Sequence, residues 1–248
     1  MQSIPTRDIA TGRGDQVKQS APNLSVIVPV YNEAAYIAEI LDHVKQCGYR
    51  CQIVVVDDGS TDGTREVLLG TDGITLIQHE RNQGKGAAIR TALAHLQGDI
   101  VLIQDADLEY DPRDYKNLLT PIMEGKADVV YGSRFAGGGP HRVLFFWHML
   151  GNKVLTFLSN ILTNLNLTDM ETGYKAFTKQ VADRLVLRES RFGFEPEFTA
   201  QVARMGVRIF EVGISYTGRN YAEGKKIDWK DGISALRCII KYNLFQRR

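Results

Sequence analysis

The chain has 248 residues, 44% of them hydrophobic, which is enough for one sizeable α/β core with an appendage. A formal net charge of +1 gives no global field for nucleic acid, and Cys47 and Cys51 lack the second pair that a zinc site needs, so reduced thiols are expected. No uninterrupted apolar run reaches the length of about 20 residues that spans a bilayer, and the first 22 residues lack the apolar core of a signal peptide, so membrane contact is expected to be peripheral.

Residues 1–22, with Pro5, Gly12, Gly14 and Pro22 among scattered charges, read as a disordered tail ahead of a single domain over 23–248. Near-continuously apolar runs follow at 24–30, 52–56, 74–78, 99–104 and 128–131, separated by helical patterns at 34–47, 62–69, 86–96 and 112–123. That alternation predicts a mostly parallel sheet with helices on both faces, a Rossmann-like layer structure. Asn32 is placed to cap a helix starting at Glu33 and Ala34, and Asp111 precedes a proline suited to a first helical position. Gly84-Lys85-Gly86 opens the third helix, where free N–H groups and a lysine can meet a phosphate.

After Tyr131 the pattern changes. Gly137-Gly138-Gly139-Pro140 is a break, and 140–167 is rich in Leu, Phe and Trp interrupted by Asn152, Lys153, Ser159, Asn160 and Asn164. A pair of amphipathic helices is expected there, either packed on the sheet or lying on a membrane surface. The last third predicts a strand at 173–177, a helix at 196–205, a strand at 208–216 and a helix at 229–245. Residues 217–226 are basic, glycine-bearing and aromatic, suited to a loop closing over an anion, so that 217–248 reads as a basic acceptor loop plus a C-terminal helix. Residues 205–248 carry nine basic and four acidic side chains, so this portion is where an anion is expected.

The chemistry concentrates in the acids. Asp105-Ala106-Asp107 follows the apolar run ending at Ile103, and Asp57-Asp58 follows the run ending at Val56. Ligands bind at such carboxyl ends in open α/β sheets. Residues two apart on an extended chain point the same way, so Asp105 and Asp107 can face one cation. A hard ion such as Mg²⁺ or Mn²⁺ takes oxygen ligands and keeps positions for substrate phosphates. A solvated turn is the bland alternative. Two acidic pairs at one sheet edge repel each other unless cations or donors compensate, which favours a site that binds a metal and a diphosphate.

In chain order, Val28-Pro29-Val30-Tyr31-Asn32-Glu33, Val56-Asp57-Asp58-Gly59-Ser60-Thr61-Asp62-Gly63-Thr64, Asn82-Gln83-Gly84-Lys85-Gly86 and Asp105-Ala106-Asp107-Leu108-Glu109 resemble the successive signatures of glycosyltransferase family two. With Gly132-Ser133-Arg134, residues 169–175 and Gly218-Arg219, the chain looks most like the dolichol-phosphate mannose synthase and polyprenyl-phosphate hexosyltransferase branch, over about residues 24–245. The resemblance implies a GT-A fold. It implies that Pro29, Tyr31, Glu33 and Asp57, with Asp58 and Lys85, line the nucleotide pocket, and that Asp105 and Asp107 act at the metal and diphosphate with Glu109 as a further metal ligand. Arg134 and Arg219 would hold the acceptor phosphate. The implied reaction is inverting transfer of a hexose from GDP-mannose, UDP-glucose or a similar donor to a polyprenyl or dolichyl phosphate, with Mg²⁺ or Mn²⁺. It would run at the cytosolic face of a membrane, reached through a surface face or a membrane-anchored partner. A polyprenyl phosphate is largely dianionic at neutral pH and needs no general base, whereas a saccharide hydroxyl, the alternative acceptor, does. A phospho-receiver module is the remote alternative, and it leaves the Arg219 loop unexplained.

Overall fold

The computed structural model describes residues 24–137, 142–143, 145–219 and 229–245, with only the backbone of residues 229 and 230 considered. The tail at 1–22, the break at 138–140 and residues 220–226 of the basic loop lie outside the described residues.

Seven strands form one sheet: β1 (Leu24–Val30), β2 (Cys51–Asp57), β3 (Thr75–Gln78), β4 (Ile100–Ile103), β5 (Val129–Ser133), β6 (Lys175–Thr178) and β7 (Ile209–Gly213), in the order β3-β2-β1-β4-β6-β5-β7. All neighbours pair in parallel except β6, which is antiparallel to both β4 and β5. Every residue of β1 is buried. Its side chains alternate, Val26, Val28 and Val30 joining the core under α1 (Ile37–Lys45) and α4 (Tyr115–Met123), and Ile27 joining the opposite core with α3 (Lys85–Leu93) and α7 (Phe194–Met205). Two covered faces are why the strands read as continuous apolar runs rather than alternating ones. The remaining helices are α2 (Thr64–Leu69), α5 (Phe146–Thr163), α6 (Lys179–Arg184) and α8 (Trp229–Ile240), the last continuing into a wider turn over Lys241–Phe245.

The reversed strand positions the site. Because β6 runs against its neighbours, its first residue Lys175 pairs with Ile103 at the end of β4 and with Tyr131 near the end of β5. The preceding residues 169–174 therefore reach the edge of the sheet where the residues after β4 and β5 emerge.

Two local expectations change and one holds. Asn32 does not cap α1, which begins at Ile37. It adopts φ 52° and its side chain accepts the Thr61 N–H (2.8 Å), tying two edge loops together. Asp111 does cap, accepting the Arg113 N–H over Pro112. Residues 146–163 form one helix rather than two. Two of the polar residues that resembled a break are tertiary ties, Asn152 donating to Asp169 (3.0 Å) and Asn160 bonding the Leu167 backbone in both directions, and Thr156 beside them accepts the Met170 N–H (3.1 Å). Asn164, at φ 58°, then ends the helix in the left-handed region that asparagine tolerates. The other face of α5 leaves Trp147, Leu150, Val154, Phe157 and Ile161 exposed. No helix among the described residues is long and apolar enough to cross a membrane.

Candidate active site

Chain direction diverges at β1, with β2 and β3 built to one side and β4 to the other, so the carboxyl ends of β1 and β4 flank a topological switch point. Glu33, Asp105, Asp107 and Glu109 gather there.

The end of β4 is fixed from below. Gln104 is fully buried, accepts the hydroxyls of Tyr115 (2.9 Å) and Tyr174 (2.7 Å), and donates to the Asp105 carbonyl (3.0 Å). Asp105 is held by Lys85, whose Nζ lies 2.8 Å from Asp105 Oδ1 and 3.2 Å from Glu195 Oε1 on the first turn of α7. Burial alone lowers a lysine pKa, but the two carboxylates outweigh it and Lys85 is raised, hence charged. The lysine predicted to meet a phosphate thus stands beside the acid predicted to work with it.

Asp107 and Glu109 share Arg219. Its guanidinium bonds Glu33 twice (3.0 and 3.2 Å) and Asp107 Oδ2 (2.6 Å), while its backbone N–H donates to Glu109 Oε1 (2.7 Å). Tyr216 donates its hydroxyl to the other Glu109 oxygen (2.9 Å). Burial first, then the neighbouring Asp105 and Glu109, push the Asp107 carboxyl up to about 7 even with the arginine present. Asp107 Oδ1 is buried with no hydrogen-bond partner.

Among the described residues no group of three or more His, Cys, Asp or Glu forms a ready cage for an ion. Mg²⁺ is commonly held by one or two carboxylates with waters and substrate phosphates. Asp107 and Glu109 fit that requirement in number and hardness, and Asp107 Oδ1 is a hard oxygen without a hydrogen-bond partner, although Arg219 stands on Oδ2 of the same carboxylate.

Asp57 and Asp58 face inward. Asp57, fully buried, accepts the Ser60 N–H and an Arg65 N–H (2.9 Å). Asp58 accepts from Gln83 and Gly84 (2.7 Å) and contacts His79 Nδ1 (2.7 Å), so it anchors the loop that delivers Lys85. Pro29 belongs to buried β1, while Tyr31 is partly exposed just past its end.

Arg134, after β5, forms a two-pronged pair with fully buried Asp169 (2.6 and 2.7 Å) and stacks over Tyr216 with its guanidinium carbon 5.3 Å from the ring centre. Arg134 and Arg219 therefore serve different carboxylates, connected through Tyr216.

Glu195 escaped the sequence reading, and Glu171 entered it only as part of the 169–175 segment, with no role. Glu195 and Glu171 each keep a buried oxygen without a hydrogen-bond partner, near Lys85 and Lys175. Burial and Glu195 raise the Glu171 carboxyl, and burial lowers the Lys175 amine. A lone acid at a helix start carries no distinguishing pattern, and only the reversed β6 brings residues 171–175 to this place.

Gly173 has a definite reason to be glycine. A Cβ there would overlap Asp105 Oδ2 and sit 3.1 Å from the Tyr110 ring. Gly173→Ala is expected to displace Asp105 and reduce turnover by roughly tenfold or more while costing only about 1–3 kcal/mol of stability. Paired initial-rate and denaturant measurements check this, and full turnover would show that the Asp105 position does not matter.

The sequence model for glycosyl transferase family 2 matches residues 25–186. The chain belongs to that family. A relative, glycosyltransferase AglJ of Haloferax volcanii, is 31% identical over 204 residues, 82% of this chain and 66% of that protein. Dolichyl-phosphate beta-glucosyltransferase ALG5A of Trichomonas vaginalis is 28% identical over 247 residues, 90% of this chain and 74% of its own. The chain spans just over half (54%) of a third relative, the low-salt glycan hexosyltransferase Agl6 of Haloferax volcanii. These relatives agree with the polyprenyl-phosphate hexosyltransferase-like branch that the motifs resemble. Glucosyl-3-phosphoglycerate synthase from Mycobacterium tuberculosis, solved with Mn²⁺, UDP and glucosyl-3-phosphoglycerate, superposes with a TM-score of 0.71 at 20% identity over 90% of this chain and 80% of that one. That likeness establishes the GT-A fold of this glycosyltransferase.

Proposed function

We propose that this family-two enzyme transfers a hexose from a nucleotide diphosphate sugar to a polyprenyl phosphate, assisted by Mg²⁺ or Mn²⁺. The observation that carries the reading is the set Glu33, Asp105, Asp107 and Glu109 at the switch point, answered among the described residues by two cationic side chains, Lys85 and Arg219. Asp107 and Glu109 would hold the cation and Asp105 would act at the diphosphate. Pro29, Tyr31, Glu33, Asp57 and Asp58 would line the nucleotide side, and Lys85 would lie along the phosphates. A bound divalent ion neutralises charge developing on the leaving diphosphate. Arg219 and Arg134, on either side of Tyr216, would orient the acceptor phosphate, the planar fork of each suiting a phosphate edge.

The names of the relatives support a polyprenyl phosphate acceptor, since one of them is a dolichyl-phosphate glucosyltransferase. The exposed apolar stripe of α5 supports work at the cytosolic face of a membrane, directly or beside a membrane-anchored partner. A second reading, transfer to a saccharide hydroxyl, draws on Glu171, whose raised carboxyl approaches the range of a general base.

One assay separates them. The protein is incubated with GDP-mannose or UDP-glucose, Mn²⁺, and either a polyprenyl phosphate in detergent or a soluble saccharide, and products are identified by mass spectrometry and anomeric NMR. The expected product is a lipid-linked hexosyl phosphate with inverted configuration, formed with Mn²⁺ and lost with EDTA. Transfer to the saccharide alone, abolished by Glu171→Gln, would replace the first reading with the second.

A further inference from the structure

Arg219 engages two of the oxygens that a cation would need, Asp107 Oδ2 through its guanidinium and Glu109 Oε1 through its backbone N–H. Its guanidinium takes Asp107 Oδ2 and both oxygens of Glu33, its Nε lies 3.5 Å from Glu109 Oε1, and its backbone N–H already donates to that same oxygen. Tyr36 backs the guanidinium, its ring centre 5.7 Å from the guanidinium carbon. Both oxygens of Glu109 and one of Asp107 are therefore engaged, and the oxygen left over, Asp107 Oδ1, is buried.

We propose that the Arg219 side chain is an internal stand-in for the divalent cation: it closes the carboxylate set when the ion is absent, and the ion binds only by displacing it. This rests on Asp107 and Glu109 being the cation ligands. The guanidinium holds Asp107 Oδ2 and sets its positive charge against the remaining Oδ1, so guanidinium and metal ion compete at Asp107, and charge-assisted contacts of this kind are the strong ones. Glu33 gives the competition its direction. It holds two prongs of the fork from outside the proposed cation pair, so it favours the arginine. A displaced Arg219 carries a charged, planar fork free for an anionic substrate, and cation binding consequently precedes capture of the anion.

Mn²⁺ binding to the nucleotide-free protein, read from the electron paramagnetic resonance of the free ion, tests this without turnover. Glu33→Gln removes a negative charge beside the site, so charge alone makes Mn²⁺ bind more weakly. Loss of the arginine's anchor makes it bind more tightly, and a gain on the order of tenfold is expected. Arg219→Gln should gain at least as much. Unchanged or weaker binding by Glu33→Gln overturns the proposal and leaves the cation reading standing, whereas no binding by wild type or either variant overturns both. Trypsin provides a check on the unaltered protein, because Arg219 must leave the carboxylates to enter the protease pocket. Mapped by mass spectrometry, cleavage after Arg219 should rise with Mn²⁺, and equal cleavage with and without the ion overturns the proposal.

Discussion

Asp107→Ala is expected to reduce sugar transfer by roughly a thousandfold or more while the fold survives. Losing a single preorganised electrostatic stabiliser costs about 10²–10³ in rate, and here the same change takes away one of two proposed cation ligands. The fold should tolerate the change because Asp107 contributes little net stability. Burial and the neighbouring acids push its carboxyl up to about 7, so its ionised form is an electrostatic burden that Arg219 only partly relieves. Initial rates with a nucleotide sugar, set beside circular dichroism and a thermal melt of the same sample, check both halves. Metal-dependent turnover at the wild-type rate would remove Asp107 from the chemistry.

The largest effect on stability is expected from Asp169→Ala. Asp169 is fully buried, accepts two prongs and a backbone N–H from Arg134, and takes a further hydrogen bond from Asn152 on α5. Removing it strands the Arg134 guanidinium in a largely buried setting, and breaking a buried pair from one side costs about 3–5 kcal/mol. In a chain of this size that lowers Tm by roughly 10 °C. The pH dependence has a definite sign. Although burial opposes ionisation, the Arg134 charge and hydrogen bonds hold the Asp169 pKa below its ordinary value. A depressed carboxyl stabilises the native state above the unfolded-state pKa, near 4, and loses that contribution as pH falls through the native one. The stability gap between wild type and Asp169→Asn should therefore be full at neutral pH and shrink in acid, as urea unfolding at several pH values would reveal. A gap that widened in acid would contradict the assigned pairing.

Much of this was legible in the residues, and the gaps have physical reasons. The observed bounds of β1 match the expected ones because burial on both faces leaves Ser25 as its one polar residue. Asp105 and Asp107 were found because strand ends are marked by where an apolar run stops, and an acid there is conspicuous. α5 was misread as two helices because tertiary hydrogen bonds from Asn152, Thr156 and Asn160 to the 167–170 segment are invisible in a local pattern. Helix α6 was missed, since six residues after a strand carry too little periodicity to register. Glu195 and Gln104 act across more than 60 residues of chain, on Lys85 and Tyr174, and no spacing rule spans that distance. Arg219, expected to hold an acceptor phosphate, also stands among the acids, a pairing that composition alone does not order.

Strand order also sets a schedule for synthesis. With β6 seated between β4 and β5, the two earlier strands have no partner for each other until residues 175–178 leave the ribosome. Until then β4 and β5 present bare edges of the kind that attract foreign strands. The two banks of the cleft, one carrying residues 105–109 and the other Ser133 and Arg134, become a single rigid body only when that late strand slots home. A stalled or clipped nascent chain ending before residue 175 should consequently be a target for chaperones rather than a smaller working transferase.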